Sequence, residues 1–246
     1  MARYKLTLAY DGTDFAGSQR QAHRRTVQSE LERAARKLGW SGSAIVLAGR
    51  TDAGVHAEGQ VAALDIAWRH DLVALRDAFN SHLAQDLAVV DAELVGETFH
   101  PRFDATFRRY RYDVRCAAMR HPLEDRLAWR IWPALEPSSL EPVAKLFVGR
   151  RDFGAFGSAS RKGGATRRTV TESSWSIEGG VLRYRVTADG FLYRMVRRLV
   201  IVQIAVGQGR CPQVVVERAL ESGRRVAGLP AGIAPPQGLR LMEVGF

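Results

Sequence analysis

The sequence predicts an α+β protein of mixed strands and helices, organised as two halves, 1–105 and 106–246. Three observations predict it. Stretches with the two-residue period of a half-buried strand occur in both halves, and stretches with the 3.6-residue period of an amphipathic helix stand between them. The first hundred residues read strand, helix, strands, helix, strand, the order of a compact α+β unit. At 246 residues with 46% apolar side chains, the chain can build one large mixed domain or two modest ones around a core.

Each element follows from its local pattern. Tyr4, Leu6, Leu8 and Tyr10 alternate with Lys5, Thr7 and Ala9, and the turn formers Asp11-Gly12-Thr13 end that strand. Thr26 can cap a helix whose apolar face is Val27, Leu31, Ala34, Ala35 and Leu38, with Gly39 placed to stop it. Residues 44–48 and 60–66 are short apolar runs, so the segment Gly49-Arg50-Thr51-Asp52-Ala53-Gly54 falls on a strand-to-strand connection. Leu72, Leu75, Phe79 and Leu83 mark a second amphipathic helix, and residues 87–95 a strand after it.

In the second half, Tyr110, Tyr112 and Val114 share one face of a strand over 107–114. Residues 175–177 and 181–187 flank Glu178-Gly179-Gly180 as a hairpin would. Phe191-Leu192-Tyr193 leads into a helical stretch through Val206, residues 212–220 form a last helix with Gly223 as its stop, and 239–246 is a closing strand. Residues 157–168 are poor in apolar groups, rich in glycine and strongly basic, and read as a mobile basic loop. No fixed-period repeat is visible, although two α+β halves in series are compatible with a diverged duplication.

Composition narrows the function classes. Lys and Arg number 36 against 26 Asp and Glu, a net charge of +10 that draws the chain to polyanions and makes nucleic acid the first partner to test. An Arg-rich lineage would give the same balance. Cys116 and Cys211 stand far apart without a Cys-x-x-Cys spacing or nearby histidines, so neither a disulfide framework nor a zinc site is expected, and a reducing cytoplasm fits. The start, Met1-Ala2-Arg3-Tyr4-Lys5, lacks the apolar core of a signal peptide, and the run 199–206 is far shorter than the roughly 20 residues that span a bilayer. No membrane role is expected.

Asp11, Asp14 and Asp52 are the carboxylates of the two polar loops in the first half. Asp52 follows Arg50 by two residues and is bracketed by Gly49 and Gly54, so the backbone there can turn tightly and approach a ligand. An ionised carboxylate in that setting suits a nucleophile or base acting on a sugar or pyrimidine carbon. Most Asp-Ala-Gly segments are instead turns whose Asp bonds its own loop, and spacing alone favours that reading. Tyr110 can stack a base, with Arg108, Arg109 and Arg111 holding phosphates, or it can be core beside a solvated charged face. Arg194, Arg197 and Arg198 can bring cations to a strand-to-helix junction or line a helix surface. No metal box is persuasive: His56 lacks a second histidine at a ligand spacing, and Gly207-Gln208-Gly209 lacks the context of a dinucleotide site.

Taken together, the segments resemble the tRNA pseudouridine synthase A family, which modifies the anticodon arm. The matches run in order through Tyr10-Asp11-Gly12-Thr13-Asp14-Phe15-Ala16-Gly17-Ser18-Gln19-Arg20-Gln21 and Ala48-Gly49-Arg50-Thr51-Asp52-Ala53-Gly54-Val55-His56-Ala57. They continue through Phe99-His100-Pro101-Arg102-Phe103-Asp104-Ala105-Thr106, Arg109-Tyr110-Arg111-Tyr112, Asp152-Phe153-Gly154-Ala155-Phe156, Phe191-Leu192-Tyr193-Arg194-Met195-Val196-Arg197 and Ala234-Pro235-Pro236-Gln237-Gly238-Leu239. The resemblance covers nearly the whole chain. It implies the pseudouridine synthase fold, two similar α+β halves with antiparallel sheets flanking a central, positively charged active-site cleft, and a cytoplasmic homodimer in which one tRNA contacts both subunits.

The same resemblance implies site residues. Asp52 matches the catalytic aspartate, Tyr110 the tyrosine that packs on the target uracil, Arg50 the arginine of the catalytic string and Arg197 a basic residue near the carboxylate. The family reaction breaks the bond between uracil N1 and ribose C1′, turns the base and joins C5 to C1′. It needs no metal or cofactor, because product and substrate are isomers. Ser18, where the family usually has tryptophan, and Arg151, where a histidine is common, depart from the pattern and are expected to bear on tRNA docking. Two other readings remain for the sequence: a catalytically silent RNA-binding protein of the same fold, and a metal-dependent nuclease using Asp11, Asp14 and Asp52.

Overall fold

The computed structural model describes residues 1–161 and 163–246, which form two compact units, Met1–Thr106 with Arg240–Phe246 and Phe107–Leu239. Both mix helices with mostly antiparallel strands, which is the α+β class expected from the sequence.

In the first unit the alternation of Tyr4, Leu6, Leu8 and Tyr10 buries one face of β1 (Ala2–Tyr10). β1 pairs antiparallel with β3 (His56–Ile66) on one side and β4 (Leu87–Val95) on the other, with Leu6 opposite Ala62 and Ala92. The short β2 (Val46–Leu47) pairs with β3 at Ala63 and Ala62. α1 (Val27–Lys37) begins where Thr26 Oγ1 accepts the Ser29 N–H at 3.2 Å and Ser29 Oγ accepts the Thr26 N–H at 3.0 Å, a reciprocal cap for two otherwise orphaned donors. It buries Val27, Leu31, Ala34 and Ala35, and Gly39, at φ +86, lets the chain leave in the left-handed region. α2 (Leu72–His82) is capped by Asp71 and buries Leu75 and Phe79, whereas Leu72 at the expected face is exposed, because the first turn of the helix overhangs the core.

The last strand, β10 (Leu239–Gly245), was expected in the second half. From Arg240 onward it belongs to the first unit, running parallel to β3 with Arg240 opposite His56 and Leu241 opposite Ala57. A strand pattern states which face is apolar but not which neighbour it will join. The approach is close: a Cβ on Gly59 would stand 2.3 Å from the Met242 carbonyl oxygen.

The second unit is built on β5 (Phe107–Cys116), β7 (Gly149–Asp152), β8 (Arg167–Glu178) and β9 (Val181–Ala188), hydrogen-bonded in the order β5-β9-β8-β7, with β6 (Trp129–Ile131) parallel to β5. β8 and β9 are joined through Gly179-Gly180, whose successive φ values of +58 and +77 suit a tight primed turn that matches the strand twist. α3 (Pro122–Asp125) is a single turn, and α4 (Pro137–Lys145) lies on β8, where Ser173 Oγ donates to the Ala144 carbonyl at 2.8 Å. α5 (Met195–Gly207) is buried over most of its surface, which accounts for the apolar run read from the sequence, and its Gln203 accepts the Trp175 indole N–H at 2.8 Å. α6 (Gln213–Ser222) stops at Gly223, φ +63.

The stretch expected as a basic loop, 157–168, is built into the unit at both ends. Ser158 bridges Tyr193, and Arg167 and Arg168 open β8 opposite Asp152 and Arg151. Its Lys162 lies outside the described residues. Among the described residues no helix is long and apolar enough to cross a membrane.

Replacing Gly59 by alanine is expected to lower stability by about 2 kcal/mol through overpacking against rigid backbone, or roughly 4–8 °C in thermal midpoint for a chain of this size. Gly96→Ala, where a Cβ meets nothing within 4 Å, serves as the control and should leave the midpoint near wild type. Equal midpoints for the two variants in a thermal melt would contradict the close approach of β10 to β3.

Candidate active site

Residues 49–55 leave the ladder between β2 and β3; side chains meet both backbone groups of Gly49 and the Thr51 N–H, and backbone groups meet the Thr51 carbonyl, the Asp52 carbonyl and the Gly54 N–H. Fully buried Gln60 serves Gly49: its Oε1 accepts the Gly49 N–H at 3.1 Å, and its Nε2 donates to the Gly49 carbonyl at 2.9 Å and to the Tyr10 hydroxyl at 3.4 Å. Thr51 is held from two sides. Its Oγ1 shares a 2.9 Å hydrogen bond with the Tyr10 hydroxyl, and its N–H donates to Ser18 Oγ at 2.8 Å while its carbonyl accepts the Ser18 N–H at 3.0 Å. Burial pushes the Tyr10 phenol above its ordinary pKa, so it stays protonated and available as a donor.

Asp52 follows as a half-buried residue at the head of a turn in which the Val55 N–H donates to the Asp52 carbonyl at 3.2 Å and Gly54 adopts φ +77. Gly54 therefore meets a conformational need. Gly49 does not: its φ is ordinary, and the nearest atom to a Cβ at that position is Gln60 Oε1 at 4.0 Å. Arg50, two residues before the carboxylate, is exposed to solvent.

The other carboxylates have structural work. Asp11 Oδ1 accepts from the Thr13 N–H at 3.0 Å and the Thr13 hydroxyl at 2.6 Å, and lies 3.1 Å from His56 Nδ1, which is also 3.0 Å from the Gly12 N–H. Gly12 could carry no side chain, since a Cβ would fall 2.0 Å from the Val55 carbonyl oxygen. Asp86 grips Arg25 at 2.6 and 2.7 Å, a pairing that holds its carboxyl below the ordinary range, and the Arg25 guanidinium lies 4.2 Å above the Phe15 ring. Asp14 is exposed. Among the described residues there is no group of three or more His, Cys, Asp or Glu side chains that could hold a metal ion.

In the second unit Tyr110 is buried on β5 and meets Phe191 edge-on at 5.0 Å. Its neighbouring arginines are engaged within the unit: Arg111 lies 3.1 Å from Asp113, Arg109 bonds Thr187 Oγ1 at 3.3 Å and approaches Glu172 at 3.8 Å, and Arg108 donates to the Asp189 carbonyl at 3.2 Å. Arg197, in the first turn of α5, is buried with its Nε donating to the Ala234 carbonyl at 2.7 Å. Just before it, Arg194 adopts the left-handed region at φ +61, a strained position for a side chain of this size. Of the two departures from the family pattern, Ser18 is fully buried against Thr51, and Arg151 is exposed on β7 with its Nε bonded to the Val148 carbonyl. Neither Gln60 nor Ser18 stood out in the sequence as support for the loop. Their one signal was polarity, Gln60 at the start of an apolar run and Ser18 directly after Gly17.

A model of the tRNA pseudouridine synthase family matches residues 7–104 and 143–246. The chain belongs to that family. Relatives called tRNA pseudouridine synthase A agree along its whole length. The protein from Agrobacterium fabrum is 37% identical over 249 residues, covering all of this chain and 93% of its own. That from Methylacidiphilum infernorum is 38% identical over 246 residues, covering 99% and 95%. That from Chloroflexus aurantiacus is 40% identical over 252 residues, covering 100% and 89%. Within this tRNA pseudouridine synthase family member, the Asp52 loop and its buried polar clamp lie in the first matched stretch, and Tyr110 lies between the two.

Replacing Gln60 by leucine strands both backbone groups of Gly49, which is expected to cost about 1–3 kcal/mol for each group left unmet. Amide hydrogen exchange over residues 49–52 should quicken well beyond that of β1. Unchanged protection there would show that Gln60 does not hold the loop.

Proposed function

We propose that this tRNA pseudouridine synthase family member isomerises uridines of the tRNA anticodon arm with Asp52 as its catalytic carboxylate. The observation that carries the reading is the Asp52 loop itself. An irregular, glycine-turned segment with a half-buried carboxylate is held from beneath by Gln60, Ser18 and the Tyr10–Thr51 pair, a rigid support of the kind a reacting group needs.

The reaction moves atoms without gain or loss: the N1–C1′ bond breaks, C5 joins C1′, and the proton on C5 leaves as N1 takes one up. A carboxylate can serve by adding to C1′ or C6 or by taking a ribose proton. The uracil must first leave its stack, which costs a few kcal/mol, and an aromatic ring against its face offsets part of this. Tyr110 is read in that role because Phe191 fixes its ring. Arg197, anchored through Ala234, and exposed Arg50 are read as substrate-binding cations. The resemblance alone supports a homodimer, and the free cysteines Cys116 and Cys211 support a reducing cytoplasm.

A second contact region is read on the second unit. Arg150, Arg167 and Arg168 line an open cleft of about 520 Å³ together with Thr166, Thr169, Asp152 and Asp189. The three arginines outnumber the two aspartates of the cleft and leave it with net positive charge. Backbone phosphates of tRNA fit that charge.

Asp52→Asn is expected to lose isomerisation, read as pseudouridine formed on a uridine-bearing tRNA transcript, while tRNA affinity stays within about threefold; full activity would overturn the assignment. It also separates this reading from a silent RNA-binding protein, for which wild-type protein would bind tRNA without product. Replacing Arg150, Arg167 and Arg168 together by alanine should weaken tRNA binding and flatten the plot of log affinity against log salt by roughly one unit for each phosphate no longer held. An unchanged slope would rule out phosphate binding in the cleft.

A further inference from the structure

We propose that Ser18 is a positioning residue for the reaction, acting through Thr51 to set the backbone from which Asp52 projects; this rests on the reading of Asp52 given above. Ser18 is fully buried, so its hydroxyl meets no tRNA. It is itself fixed, because its carbonyl accepts the Gln28 N–H at 2.9 Å in the first turn of α1, and the Gly17 carbonyl accepts the Val27 N–H at 3.3 Å. From that base it grips Thr51 twice. The Ser18 hydroxyl oxygen accepts the Thr51 N–H at 2.8 Å, and the Ser18 N–H donates to the Thr51 carbonyl at 3.0 Å.

These two bonds orient both peptide planes that flank Thr51, and the second of those planes contains the Asp52 nitrogen. On the far side, the Val55 N–H closes the turn on the Asp52 carbonyl. The backbone is thus held on both sides of the carboxylate. The approach of the two loops needs Gly17, which adopts φ +99 and whose Cβ would stand 2.8 Å from the Thr51 carbonyl oxygen.

Only one of the two bonds depends on a side chain, the one the Thr51 N–H donates to the Ser18 hydroxyl oxygen, and alanine offers no acceptor for it. Ser18 therefore belongs with Tyr10 and Gln60 as support for the loop. It differs from them in acting on the backbone of the residue immediately before the carboxylate and in linking that residue to α1.

The test measures single-turnover pseudouridine formation with enzyme in saturating excess over tRNA. That rate constant reports the folded molecules alone, so a smaller folded fraction does not mimic a positioning defect. Ser18→Ala is expected to slow it about 30- to 100-fold, the scale of an ångström-sized misplacement of a reacting group, with tRNA affinity within about twofold of wild type. Ser18→Cys, close in size and with a weaker acceptor, should fall between, slower than wild type by at least about threefold; it carries the test if the alanine variant does not fold.

Wild-type rate constants in the variants would overturn the proposal, as would a loss confined to tRNA affinity. Asp52→Asn is run beside them. If it is inactive while Ser18→Ala reacts at the wild-type rate, the positioning role alone fails. If it is fully active, the reading of Asp52 fails and the role of Ser18 with it.

Discussion

A loop that leaves a sheet gives up its ladder partners, and each buried peptide group it frees must find another or destabilise the fold. The Asp52 loop meets this constraint partly with backbone groups of the loop after β1 and partly with side chains. Gln60 stands in for a neighbouring strand at Gly49, and Ser18 does so at Thr51, where Tyr10 adds a third bond to the side chain. The neighbouring features follow from the same requirement. Gly12 and Gly17 are glycines because the loop after β1 must lie against the one before β3, closer than any Cβ allows. Arg25 and Asp86 brace the first of these loops from outside, and the Asp11 N–H donates to the Asp86 carbonyl at 3.0 Å.

Elements governed by local period were legible in the sequence. β1, α1, β4, β9 and the turn before it lie close to their expected places, because alternation, a threonine cap and a Gly-Gly turn are local signals, whereas β8 begins at Arg167, eight residues before the strand expected from Trp175. α4 was not anticipated; its two prolines, Pro137 in the first turn and Pro142 inside, weaken the local helix signal. β6 and β7 are too short to show a period. The clamp under Asp52 was not legible either. Its partners are separated by 11, 33 and 41 residues, and a lone Gln or Ser announces nothing about such distances.

The candidate residues divide in the same way. Asp52 became a candidate through an ordered string of matches, since its spacing alone favoured a turn residue. For the arginines around Tyr110 the sequence left phosphate holders and a solvated charged face both open; the nearby carboxylates Glu172 and Asp113, which lie beside Arg109 and Arg111, gave no local signal. Arg150 gave no signal, because its place in the basic cleft arises from pairing between β7 and β8.

The placement of β10 has a consequence for biogenesis. The strand that completes the first unit beside β3 is translated only after the whole of the second unit has been made. Until then β3 presents an unsatisfied edge on the nascent chain, the kind of surface on which β-rich intermediates associate. Vectorial folding from the N-terminus can therefore assemble β1, β3 and β4 but cannot close the unit. The first unit is expected to reach its native stability last, although it is synthesised first.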